Sequence, residues 1–122
     1  MSRPGPILVI DDDDAIRSFA QIVLEDEGYE VQIAADGYQA LKSVEKRPPV
    51  LILLDMRMPR MNGWEFVAAY RQLPGPHVPI IVMTAGRETE LKAVNIGASD
   101  YIMKPYDLDQ LLNLVEKHMP PK

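Results

Sequence analysis

The chain has 122 residues, 47% of them hydrophobic and 25% charged, which suits one soluble globular domain with one core and is too short for two. Cysteine is absent and only His77 and His118 represent histidine. Disulfide scaffolds, thiolate or histidine-rich metal centres, iron–sulfur clusters and cysteine nucleophiles are therefore excluded. The net charge is −5, but four acids lie in a single run, Asp11–Asp14, so the acidity is local. No basic run or stripe offers a footprint for direct nucleic-acid binding. The longest clean apolar runs, 50–54 and 80–83, fall far short of a membrane span, and the first residues lack an apolar export core. The expected location is cytoplasmic, with no membrane partner.

In chain order, a β-branched apolar run over 6–10 predicts the first strand. The acidic run follows, and Asp13 or Asp14 is a natural helix N-cap. Ile16, Phe19, Ala20, Val23 and Leu24 then keep the i, i+3, i+4, i+7, i+8 spacing of an amphipathic helix, with Gly28 as its stop. A partly alternating run over 30–34 predicts an edge strand. Asp36 caps a helix over 37–46 with Ala40, Leu41 and Val44 inward. The unbroken apolar run 50–54 predicts a strand buried on both faces. Asn62 caps a helix over 63–73, and a further buried strand covers 79–84. A helix over 87–96 ends before Gly97, and a short strand covers 100–103. Asp107, with Gln110 completing a capping box, opens the last helix, 108–118, where Leu108, Leu111, Leu112 and Val115 share a face. Residues 119–122 read as a tail beyond a core of about 6–118, in one domain spanning 1–122.

Strands and helices alternate five times, (βα)5. Right-handed crossovers turn that order into an α/β, doubly wound parallel sheet with helices on both faces. Ligands in such sheets bind at the carboxyl ends of the strands. The first strand ends in Asp11 and Asp12, the third in Asp55, the fourth in Thr84 and the fifth in Lys104-Pro105. If the strand order is 2-1-3-4-5, the first and third strands are neighbours and three carboxylates converge. Two such charges 4 Å apart repel by roughly 4 kcal/mol at an effective dielectric near 20. Lys104 offsets part of this; a hard divalent cation with oxygen ligands, Mg2+ by preference and Mn2+ as an alternative, offsets more. A carboxylate so placed can act as a nucleophile toward phosphorus, with Lys104 and Thr84 holding phosphoryl oxygens.

The segments ILVIDDD (7–13), LILLDMRMPRMNG (51–63), IIVMTA (80–85) and GASDYIMKPY (97–106) together resemble the receiver domain of two-component response regulators, the chemotaxis type, over about residues 7–118. The resemblance implies the flavodoxin-like strand order 2-1-3-4-5. It implies that Asp55 is the phospho-acceptor and that Asp11, Asp12, Asp55 and the main-chain carbonyl of Arg57 hold the metal, with Asp12 the more direct of the acidic pair. Thr84 is implied as the switch hydroxyl, Tyr101 as the switch aromatic and Lys104 as the lysine that pairs with the phosphoryl group, followed by a cis peptide to Pro105. Arg57 and Gly86 stand at positions that modulate water access in this family. Arg57 is expected to cover the phosphoryl group and Gly86 to leave its other side open. The implied partners are a sensor histidine kinase or phosphotransfer protein and an unidentified downstream protein or output domain. Phosphorylation is expected to shift the face made by the 87–96 helix, the 100–103 strand and the 108–118 helix, a face also suited to a homodimer.

Other readings weigh less. A Mg2+-dependent phosphohydrolase with an aspartyl nucleophile is the alternative, but it calls for a lid insertion and a further acid, and Arg57 stands two residues after Asp55. A flavin carrier of similar topology needs a Ser/Thr/Gly-rich phosphate loop where this chain has four aspartates. A docking module without turnover does not need the full acid–Thr–Lys set. Met56, Met58, Met61 and Met83 are expected to be packing residues, and Trp64 to be half-buried. The expected role is that of a regulatory phospho-acceptor and not an enzyme.

Overall fold

The computed structural model describes residues 5–84 and 97–119. The helix expected over 87–96, Gly86 and residues 120–122 lie outside the described residues. Five strands, β1 (Ile7–Ile10), β2 (Val31–Ala34), β3 (Leu51–Asp55), β4 (Ile80–Thr84) and β5 (Asp100–Met103), form one parallel sheet in the order β2-β1-β3-β4-β5. The helices are α1 (Asp14–Asp26), α2 (Gly37–Lys46), α3 (Gly63–Gln72) and α4 (Leu108–His118). Over the described residues the alternation of strands and helices is the expected one, and the strand order is the one that the resemblance implies. Asp55 ends β3, one residue beyond the expected run of 50–54.

The sheet separates two apolar layers, and the twofold period of a strand assigns residues to each. Leu8, Ile10, Ile52, Leu54, Ile80 and Val82 meet Ala40 and Val44 of α2 and Phe66, Val67 and Tyr70 of α3. Ile7, Val9, Leu51, Leu53, Ile81, Met83 and Ile102 meet Ala20, Val23 and Leu24 of α1 and Leu111 and Val115 of α4. Every residue of β1, β3 and β4 is buried, which is why these runs carry no polar alternation. The helix ends follow the capping chemistry of the sequence. Asp13 accepts from the N–H groups of Ala15 and Ile16, Asp36 from Gln39, Asn62 from Glu65 and Asp107 from Gln110, the last two in full capping boxes. Gly28, with φ 87°, ends α1 as expected.

Two members of the expected apolar stripes face outward instead. Phe19 is 40% and Leu108 46% exposed, because each sits at the rim of its helix face beside the loops at the carboxyl end of the sheet. Met119 is less of a tail than the sequence suggests: it caps α4 and packs against the α1/α4 layer. Met56, Met58 and Met83 are buried and Trp64 is half-buried.

Candidate functional site

The carboxyl ends of β1, β3 and β5 bring Asp11, Asp12, Asp55 and Lys104 together. Parity explains part of this. Asp11 and Asp55 continue the Ile7–Val9 and Leu51–Leu53 series of the α1/α4 side, and Lys104 continues from Ile102 on the same side. Asp11, Asp12 and Asp55 can each offer a carboxylate oxygen within 4.8 Å of the others. Asp11 is fully buried, Asp55 nearly so, and Asp12 is exposed.

The hydrogen bonds hold the acids rather than neutralise them. Asp11 Oδ1 accepts from the Asp13 N–H at 2.9 Å, and Asp55 Oδ1 accepts from the Arg57 N–H at 3.3 Å. Asp11 Oδ2 accepts no regular hydrogen bond and is met by the Lys104 ammonium at 2.8 Å, which lies 3.6 Å from Asp55 Oδ1. One ammonium serves two buried carboxylates. Burial and the Asp11 charge therefore push the Asp55 carboxyl up to about 7, against the opposing pull of Lys104 and the Arg57 N–H. The same negative field reaches Tyr106, whose phenol is pushed up to about 12 by burial, Asp11 and Asp55. An under-neutralised set of oxygen donors with one buried oxygen lacking a regular hydrogen bond fits a hard divalent cation.

Thr84 ends β4 and is buried. Its parity is that of Ile80 and Val82, so it belongs to the α2/α3 side of the sheet. Tyr101 pairs in register with Val82, and Met103 with Thr84, so Tyr101 lies on the face of Thr84 and not on that of Asp55. Tyr101 is partly exposed, at 37%. The Lys104–Pro105 bond is cis, and the Lys104 N–H donates to the Thr84 carbonyl, joining the ends of β4 and β5. The Arg57 side chain is exposed.

Other supports were not singled out from the sequence. Arg17 donates from Nη1 to the Asp11 carbonyl at 2.7 Å and pairs with Asp14, tying α1 back to the acidic loop. Arg60 pairs with the buried Asp36. The hydrogen bond from the Gln39 N–H, and then Arg60 working against burial, hold the Asp36 carboxyl below its ordinary value. The Arg17–Asp11 and Arg60–Asp36 contacts each join an arginine of one segment to a group of another. The only sequence trace is an arginine near the carboxyl end of the sheet.

Residues 7–116 match the model of the response regulator receiver domain. The sporulation initiation phosphotransferase F of Bacillus subtilis is 36% identical over 118 residues, covering 95% of this chain and 94% of that protein. The DNA-binding response regulator MtrA of Mycolicibacterium paratuberculosis is 38% identical over 115 residues, covering 93% of this chain and 50% of its own length. The structure of the chemotaxis response regulator CheY4 of Vibrio cholerae superposes with a TM-score of 0.87 at 33% identity, covering 94% of this chain and 98% of the other. A receiver-domain match over nearly the whole chain, with the sheet order and acidic cluster already described, means that this chain belongs to the response regulator receiver domain family.

Proposed function

We propose that this receiver domain is a phospho-accepting switch in which Asp55 takes a phosphoryl group from a phosphohistidine of a sensor kinase or phosphotransfer protein. The observation that carries the proposal is the meeting of Asp11, Asp12 and Asp55 around the Lys104 ammonium at the carboxyl end of the sheet. In the step itself a carboxylate oxygen of Asp55 forms a bond to phosphorus as the phosphorus–nitrogen bond of the donor breaks, and the imidazole leaves with the bonding pair. Asp11, Asp12, Asp55 and the Arg57 carbonyl would hold Mg2+, with Mn2+ as a substitute; when bound, the ion offsets charge on the transferring oxygens.

The other roles belong to this chain's own residues. Deprotonated Asp55 is the nucleophile, and Lys104 exchanges its hold on the acids for the phosphoryl group. Thr84 follows the new charge from the opposite face of the sheet, and Tyr101, sharing that face, changes rotamer with it. The 87–96 segment, β5 and α4 then present a different surface to a downstream protein or output domain. Arg57, exposed beside the acceptor, covers the phosphoryl group. The domain is a regulatory acceptor and not an enzyme with its own substrate, and it works in the cytoplasm; no helix among the described residues is long and apolar enough to cross a membrane.

The test is intact mass after incubation with Mg2+ and acetyl phosphate, beside Asp55→Asn. A gain of one phosphoryl group in the wild type alone supports the assignment. An equal gain in Asp55→Asn overturns it. Arg57→Ala should change the lifetime of the phosphorylated form; an unchanged lifetime removes Arg57 from the role given to it.

A further inference from the structure

The loop between β3 and α3 is anchored to α2 at its far end. Arg60 adopts φ 66° and is the only non-glycine residue with positive φ among the described residues. Left-handed backbone is unfavourable for a residue with a Cβ and persists where surrounding contacts over-determine it. Here the contact is the ion pair to Asp36, whose side chain is only 3% exposed while that of Arg60 is 66% exposed. The next residue, Met61, lies against Gly37 so closely that a Cβ there would come within 2.6 Å of it. At its other end the loop is closed by the Gly63 N–H donating to the Met56 carbonyl at 3.0 Å. Arg57 sits inside this closed segment, two residues past Asp55 and three before Arg60.

We propose that the Asp36–Arg60 pair is a positioning contact for the acceptor loop: it restrains the Arg57 main chain, and so sets how tightly the site takes a divalent cation, without either residue touching the ion. The inference rests on the metal reading above. Pairing a buried acid to a left-handed arginine gives the loop a polar anchor that can be removed cleanly. Glycine adopts the left-handed region at no steric cost, so Arg60→Gly deletes the pair while relaxing the backbone. Asparagine caps a helix as well as aspartate, so Asp36→Asn deletes the charge while keeping the bond from Gln39.

The experiment is a calorimetric Mg2+ titration of the wild type, Arg60→Gly, Asp36→Asn and the double variant, with melting temperatures recorded alongside. Each single variant should bind Mg2+ about three- to tenfold more weakly, at or below the lower edge of what partners that orient metal ligands contribute. The double variant should be no weaker than the singles, and Arg60→Gly should melt within about 3 °C of the wild type. A wild type that binds Mg2+ beside an Arg60→Gly variant with the same affinity overturns this inference alone. A wild type that takes up no Mg2+ overturns the metal reading and the inference with it. Strictly additive losses in the double variant show that the two residues act separately, which also overturns it.

Discussion

Lys104 Nζ lies 2.8 Å from Asp11 Oδ2 but 3.6 Å from Asp55 Oδ1, so the lysine at the end of β5 is held first by the acid of β1 and only second by the candidate acceptor. Asp11 is fully buried, which makes Lys104 a stability element besides its proposed part in holding the phosphoryl group. Lys104→Met should destabilise the protein by about 3 kcal/mol at pH 8 in chelator, the usual cost of leaving a buried charge unpartnered. Adding Asp11→Asn should recover much of the loss, as urea unfolding of the single and double variants will show.

The raised Asp55 carboxyl gives a pH dependence of definite sign. Its folded value of about 7 exceeds the ordinary 3.8, so between those limits the folded state binds the proton more tightly. In chelator, its contribution to stability is full below about pH 4 and is lost as pH rises through 7. Asp55→Asn should lack that slope. Saturating Mg2+ should remove it from the wild type by favouring the carboxylate. Melting temperatures from pH 4.5 to 8 test all three.

Asp12 adds a like charge to the cluster from its exposed side. Asp12→Ala should therefore melt higher than the wild type in chelator, by about 2–4 °C. With Mg2+ the wild type should gain stability by mass action and the variant should gain little. A variant that melts lower than the wild type in chelator would contradict the repulsion argument.

Two glycines of the acceptor region should respond differently to a methyl group. A Cβ at Gly63 would lie 2.8 Å from the Met56 Cα and 3.1 Å from the Asp55 carbonyl oxygen, both main-chain atoms, besides 2.4 Å from Met56 Sδ. The three atoms nearest to a Cβ at Gly37 all belong to the Met61 side chain. Flexible methionine can yield and backbone cannot. Gly63→Ala should cost about 3 kcal/mol and slow phosphorylation by acetyl phosphate, whereas Gly37→Ala should cost about 1 kcal/mol. Chemical denaturation with a parallel mass assay separates the two.

Over the described residues, the sequence by itself determined the alternation of strands and helices, their caps and the residues that end each strand. These are local matters: Asp36, Asn62 and Asp107 each accept from the N–H group three residues on, and the unbroken apolar runs of β1, β3 and β4 need no partner to be read. The composition of the acidic site was legible for the same reason, since position at a strand's end is a property of the chain. The tertiary structure decided which side of the sheet each residue serves. Asp11, Asp55 and Lys104 fall on the α1/α4 side while Thr84 and Tyr101 share the other, because strand parity and parallel register act together. It also decided which cations stand beside which acids. Lys104 prefers Asp11, Arg17 holds the Asp11 carbonyl, and Arg60 reaches Asp36 across 24 positions. A long charged side chain has many acids within reach in the sequence, and only packing selects which of them it meets.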